Sequence, residues 1–388
     1  MDRGGTTVSA TLYAVGNVVS NGIFFFLVII SQNLVSVNVV FCENYGLIFM
    51  PVLTILWMNL TKAVIGMEIF YLTLQQLLMM FTLIVIGFAL RKAKVLPETS
   101  DLTMSRLELY VFTPALNFFT QLTQCNPQSL AQNSKLILYG TVVIAVAIAI
   151  AVPLSVLFVP RAKGDPERSY LRCIYRYALI YGNYGFIGNF VVLGIWGADG
   201  LFKYQLFNFV ASLLCQSYGL YLLIPKEKGS NLAKNILKGI FSPPLLAMAA
   251  GCIGGLLNIK GYMPLFLSNA LENAGACMGP VAMLLAGFVI GGYQFKGLLL
   301  NKKVYAASAL RLIVLPGLFL TALLLLGIDK EIMQWTLIAF AAPLGLNTIV
   351  YPAAYGGETK TGASMTMIST TLSVVTIPLM YYLFIVLL

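Results

Sequence analysis

Apolar and polar positions alternate along this chain on the scale of whole membrane spans rather than of single helix or strand faces. From residue 67 onward, long apolar runs separated by short polar connections predict ten helices, at roughly 69–90, 103–122, 135–159, 170–197, 201–224, 233–258, 265–291, 303–327, 331–353 and 362–387. No connection is long enough to hold a soluble domain. Upstream, 8–30 and 34–57 are also long and apolar enough to span, yet residues 1–66 are rich in Val, Asn and Ser and carry only Asp2, Arg3, Glu43 and Lys62 as charges. This stretch lacks the basic start and small-residue cleavage site of a signal peptide. Two readings stay open for it. It is an accessory two-span hairpin, or it is sequence upstream of the native start, since Met67-Glu68-Ile69-Phe70 reads like a fresh beginning before a span.

The cations then orient the helices. The odd-numbered connections and their adjoining helix ends hold seventeen: Arg91, Lys92, Lys94 and Arg106; Arg161, Lys163, Arg168, Arg172 and Arg176; Lys226, Lys228, Lys234 and Lys238; Lys296, Lys302 and Lys303; and Lys360. The alternate connections hold four, Lys135, Lys203, Lys260 and Lys330. By the positive-inside rule the odd connections face the cytoplasm. Both ends of the ten-helix unit then face outside in the plasma (cytoplasmic) membrane. Trp196 and Trp335 both fall at the outer interface.

Composition sharpens this picture. Of 388 residues, 59% are hydrophobic and 10% are charged, against about 25% charged in an ordinary soluble domain. The chain reads as an all-α polytopic membrane protein. Its net charge of +10 is largely the cytoplasmic excess, which argues against nucleic acid as a partner. There is no histidine, which removes Ser–His and Cys–His catalysis and the common zinc and haem sites. The six cysteines form no CxxC pair and read as small apolar fillers. Asp101, Asp165, Asp199 and Asp329 lie in loops or at span ends, so no aspartyl pair is available at the membrane midplane. With no phosphate-binding Walker motif either, the expectation is neither an enzyme nor an ATP-driven pump, with no cofactor and no metal.

Ten spans divide into two sets of five, 67–226 and 227–388, around a basic linker at 225–238. Five is odd, so the second set enters the membrane inverted relative to the first, an architecture of secondary transporters. Leu107-Glu108 recurs as Leu271-Glu272, and Asn183 as Asn347, both at an offset of 164. The fourth span contains Tyr181-Gly182-Asn183-Tyr184-Gly185-Phe186-Ile187-Gly188-Asn189, and the ninth runs from Ala342-Pro343-Leu344-Gly345 through Asn347-Thr348 to Tyr351-Pro352. Glycines and prolines this dense oppose a continuous helix. Irregular backbone at membrane depth is tolerated only against protein or a water-filled cavity. Paired breaks therefore mark a midplane site, and half-helix N-termini there favour an anion. Gly182, Asn183, Gly185, Gly188, Asn189, Pro343, Asn347 and Thr348 are the expected binding residues.

Three ionisable residues, Glu108, Glu272 and Arg311, sit inside predicted spans and are candidates for ion coupling or anion attraction. Their bland alternatives are an interfacial carboxylate paired with a cation and an arginine that snorkels to the cytoplasmic face. Asn208, Ser212 and Gln216 on the fifth span, and Ser369, Thr370 and Ser373 on the tenth, line the same cavity or bond between helices.

Asn183-Tyr184-Gly185-Phe186-Ile187-Gly188, the run from Pro343 through Tyr355-Gly356 to Ile377-Pro378-Leu379, Met67-Glu68-Ile69-Phe70 and Thr113-Pro114-Ala115-Leu116-Asn117-Phe118 together resemble the auxin efflux carrier family over 67–388. That family includes the plant PIN-formed carriers and many bacterial ones. The resemblance implies two inverted five-helix repeats, whose fourth and ninth helices break and cross, usually at a proline in each. It also implies an organic anion bound at the crossing, an elevator-like motion and often a homodimer. Asn183 matches the crossing asparagine and Pro343 the ninth-helix proline. The chain departs at Phe190, where the family often has proline, so glycine must supply that break. The expected function is secondary transport of a small organic anion, a carboxylate or auxin-like acid, with H+ or Na+ as candidate coupling ions. The competing class is a transporter-fold sensor or receptor without net transport.

Overall fold

The computed structural model describes residues 71–72, 74–161, 164–225, 237 and 241–386, all within the compact unit Ile65–Leu388. The expectations for residues 1–66 lie outside the described residues. Among the described residues every regular element is a helix. Six helices are long and apolar enough to cross a membrane: Leu74–Lys92, Pro127–Phe158, Pro166–Phe207, Leu265–Gly291, Lys302–Leu325 and Lys360–Ile385. Phe209–Leu223 and Pro243–Leu256 are shorter apolar helices.

In chain order the rods are as follows. α1 is Leu74–Lys92. α2 (Ser100–Leu107) passes through a π turn, Glu108–Phe112, into α3 (Thr113–Gln124). α4 is Pro127–Phe158, and α5 is Pro166–Tyr181. After a π turn at Tyr184–Gly188 come α6 (Asn189–Phe207) and α7 (Phe209–Leu214), then a third π turn, Cys215–Gly219, and α8 (Leu220–Leu223). α9 is Pro243–Leu256, α10 Leu265–Ala276 and α11 Met278–Gly291. α12 (Lys302–Ala309) passes through a π turn, Leu310–Val314, into α13 (Leu315–Leu325). α14 (Lys330–Ala341), α15 (Asn347–Tyr355) and α16 (Lys360–Tyr381) complete the series.

Local chemistry sets several of these boundaries. α4 starts earlier than the hydropathy suggests because Asn126 caps it: its side chain accepts from the Ser129 amide at 2.8 Å while Ser129 Oγ accepts from the Asn126 amide at 3.0 Å. α6 contains a turn at Gly197, at φ 65° and ψ −160°, which separates the fourth and fifth apolar segments. Two of the π turns lie just before prolines. Pro114 and Pro316 each lack an amide donor, and each ring crowds the carbonyl four residues back, at Tyr110 and Leu312 inside those turns.

The most extensive helix contact joins α9 to α3. It is a small-residue face: a Cβ on Gly251 would strike the Phe118 backbone, and one on Gly255 the carbonyls of Cys125 and Gln121. Cys125 Sγ and Cys252 Sγ lie 3.0 Å apart at the end of this seam. Gly251→Leu is expected to lower the melting temperature of the detergent-solubilised protein, at about 1–3 kcal/mol for overpacking. Gly261→Ala, where an added Cβ meets nothing within 4 Å, is the neutral control. Equal melting of the two variants would contradict the close seam.

Residues of like connections meet. Lys135 Nζ pairs with Asp329 at 2.8 Å, and Lys203 Nζ with Asp199 at 3.2 Å and Glu331 at 3.5 Å. Lys92 Nζ donates to the Tyr293 carbonyl at 3.4 Å, joining the first and seventh connections. Exposed pairs of this kind stabilise little, but they identify which ends lie together. Trp196 and Trp335 share an end too, stacked edge to face with centroids 5.5 Å apart. Trp335 is 2% exposed, so it is a packing residue rather than an interfacial anchor.

Candidate functional site

The two irregular segments meet. α5 stops because Gly182 takes φ 46° and ψ −161°, a conformation closed to other residues. Asn183 follows, and its amide donates to the Pro343 carbonyl at 2.7 Å. α14 stops because Ala342, preceding a proline, turns extended at ψ 139°. The freed backbone past Pro343 is satisfied locally. The Leu344 amide donates to Ser369 Oγ at 2.9 Å, and Thr348 Oγ1 donates to the Gly345 carbonyl at 2.6 Å. At Gly345 a Cβ would come within 3.1 Å of the Tyr177 ring and 3.3 Å of the Gly182 carbonyl oxygen. The Phe190 departure therefore leaves the fourth helix broken all the same, with Gly182 as the break point. Phe190 itself packs against Gly279.

Beside this crossing lies a small, partly open cavity of about 70 Å³. Five parts of the chain wall it: Leu109, Thr113 and Asn117 beside the first π turn; Tyr184, Gly185, Phe186 and Asn189 after the first break; Gln205, Asn208, Ser212, Cys215 and Gln216 on the fifth segment; Pro244, Leu245 and Met248 of α9; and Asn347 and Tyr351 of α15. No charged side chain is in this wall. Several of its polar groups are held by residues in or behind the wall, while Thr113 Oγ1 and Gln205 Nε2 have no partner among the described residues. Asn347 Nδ2 donates to Tyr177 Oη at 2.7 Å, which lies 3.0 Å from Cys215 Sγ. Tyr351 Oη donates to Gln216 Oε1 at 2.7 Å. Gln121 Nε2 donates to Gln205 Oε1 at 2.9 Å, bonding α3 to α6.

Of the expected binding residues, Gly185, Asn189 and Asn347 line the cavity, while Gly182, Asn183 and Pro343 form the crossing itself. Gly188 serves packing, since a Cβ there would strike the Tyr204 hydroxyl. Thr348 is spent on Gly345. Asn183 stands apart: it is 2% exposed, and neither its amide nitrogen nor its amide oxygen has a partner among the described residues. Of the two readings left open for Asn208, Ser212 and Gln216, the first holds for all three, which line the cavity, and Gln216 also accepts from Tyr351 across helices. Ser369 serves the break instead, and Thr370 and Ser373 are buried away from the cavity wall. Sequence reasoning passed over Thr113, Asn117, Gln205, Tyr177 and Tyr351. A polar residue inside an apolar span was the available signal for each.

The three ionisable residues expected inside spans separate. Glu108 is fully buried in the first π turn, next to Leu109 of the cavity wall, and neither carboxyl oxygen has a hydrogen-bond partner among the described residues. Glu272 is exposed on α10, so the two matched glutamates do not share an environment. Arg311 is 1% exposed. It does not snorkel, and it lies outside the cavity wall, bordering a smaller adjoining space lined also by Tyr184 and Asn208.

Comparison with known proteins places this geometry in context. Residues 72–381 match the family described as membrane transport protein. An uncharacterized transporter of Methanocaldococcus jannaschii is 28% identical over 204 residues, 51% of this chain and 64% of the relative, so the match spans just under two thirds of that protein. An uncharacterized transporter of Methanothermobacter thermautotrophicus is 25% identical over 315 residues, 80% of this chain and 98% of the relative.

Proposed function

The chain belongs to the membrane transport protein family, that of the auxin efflux carriers, and from that premise we propose that it is a secondary transporter of a small organic anion, a carboxylate, held at the crossing of its two broken helices. The observation that carries the proposal is the contact of the breaks, Asn183 amide to Pro343 carbonyl at 2.7 Å, beside a cavity lined by apolar and neutral polar side chains and by no charged one. The first turns of both second halves, at Tyr184–Phe186 and at Asn347, line that cavity. Each such N-terminus presents about half a positive elementary charge and amides without intrahelical acceptors. Two of them facing one uncharged space favour an anion. Neutral donors at Asn183, Asn189 and Asn347 then supply direction rather than charge.

In this reading the chain has ten spans in two inverted five-helix repeats, lies in the plasma membrane with both ends of the ten-helix unit outside, and works by alternating access. Glu108 is the carboxyl assigned to coupling, because it is buried beside the cavity wall. Glu272 is exposed on α10, and the coupling role in this reading is assigned to Glu108.

The test is uptake into proteoliposomes of a panel of mono- and dicarboxylates, with imposed proton or sodium gradients. Accumulation of at least one carboxylate above protein-free liposomes is the expected result. Binding without uptake would identify a sensor on a transporter fold, and neither binding nor uptake across the panel would overturn the anion assignment.

A further inference from the structure

Each broken helix also has a C-terminal half-end, and these ends raise an electrostatic problem. α5 stops at Tyr181 and α14 at Ala341. Each leaves its last carbonyls without intrahelical donors and carries about half a negative elementary charge. One buried cation meets both. Arg311 Nη1 donates to the Leu179 carbonyl at 2.8 Å and the Ile180 carbonyl at 3.2 Å, and Nη2 donates to the Ala339 carbonyl at 2.8 Å. The face of the Phe340 ring lies 4.6 Å from the guanidinium carbon. Among the described residues no carboxylate is within ion-pair distance of Arg311. A buried charge without a partner is costly. Here two helix ends summing to about one negative elementary charge stand in for the missing carboxylate.

Gly182 completes the arrangement. A Cβ there would sit 2.5 Å from Nη2 and 2.8 Å from Nε of Arg311. The glycine that ends α5 thus also admits the guanidinium to the last turn.

We propose that Arg311 is a positioning residue, the fixed counter-charge that holds the C-terminal ends of both broken helices together. The proposal rests on the reading of the crossing as the transport site. Arg311 acts on the cavity through the crossing, since it is not part of the cavity wall. Positive charge and planar fork are separable here. Lysine keeps the charge without the fork, glutamine keeps amide donors without the charge, and methionine keeps neither.

Arg311→Lys, Arg311→Gln and Arg311→Met in the otherwise native chain test it. Cys215 is the reporter: it is 2% exposed, 3.0 Å from Tyr177 Oη and 3.8 Å from Asn347 Nδ2, so it senses whether α5 and α15 stay in place. N-ethylmaleimide labelling of the Cys215 peptide, followed by mass spectrometry in detergent, needs no substrate. Lysine is expected to stay within about threefold of the native labelling rate, and glutamine and methionine to exceed it by at least about tenfold, the scale of losing a charged hydrogen bond. Melting temperatures should follow the same order. Lysine no better than methionine, misfolding of both included, would overturn the counter-charge. So would glutamine behaving like the native protein. Failure of the transport reading shows differently, as unchanged uptake in Asn183→Ala with this labelling order intact.

Discussion

Gly182→Ala is expected to abolish uptake and to destabilise the protein by roughly 2–6 kcal/mol, combining backbone strain with overpacking. Gly182 and Gly197 adopt nearly the same conformation, φ 46° with ψ −161° and φ 65° with ψ −160°. A methyl at Gly197 meets nothing within 4 Å, whereas at Gly182 it meets the Arg311 guanidinium. Gly197→Ala therefore carries only the strain, about 1–3 kcal/mol. Thermal unfolding of the two variants, followed by uptake, separates the terms. A Gly182→Ala protein that melts with Gly197→Ala and still transports would mean that neither the break nor the clasp at Arg311 is needed.

The second large effect is expected at the two asparagines, and they should differ from each other. Both variants are expected to insert in the membrane. Asn183 is buried with both amide atoms unpartnered, so Asn183→Ala removes no hydrogen bond from the protein and should leave the melting temperature nearly unchanged. Its uptake should still fall by about tenfold or more, because in the proposed transport reading the unpartnered amide, at the crossing behind the cavity wall, is assigned to the ligand. Asn347 donates to Tyr177 Oη, so Asn347→Ala should lose uptake together with about 1 kcal/mol of stability. Unchanged uptake in both variants would remove the crossing from the account.

Much of the frame was legible along the chain, and particular residues show where legibility ended. Apolar runs located the rods because lipid rewards continuous hydrophobicity. They missed the polar first turns of α4, which depend on the Asn126 cap and not on hydropathy. Gly182 and Pro343 betrayed the breaks because backbone restrictions are local. That the breaks touch is tertiary, and no periodicity encodes it. Arg311 shows the limit most clearly. Counting helical rise from Lys303 places it deep in a span, yet its partners lie 132 and 28 positions away, at Leu179 and Ala339. Glu108 and Glu272 are matched by an offset of 164, but one is buried and the other exposed, since sequence offset carries no information about neighbours. Trp335 failed as an anchor for the same reason: Trp196, Tyr204 and the helices around them enclose it.

The most direct test of the crossing as an anion site is equilibrium binding by calorimetry, in detergent, of the carboxylate with the highest uptake, compared with its uncharged amide. The native protein should bind the carboxylate at least about tenfold more tightly than the amide, and Asn183→Ala should lose about tenfold in carboxylate affinity. Native affinity for the carboxylate in Asn183→Ala, or equal affinity of the native protein for carboxylate and amide, would contradict the account.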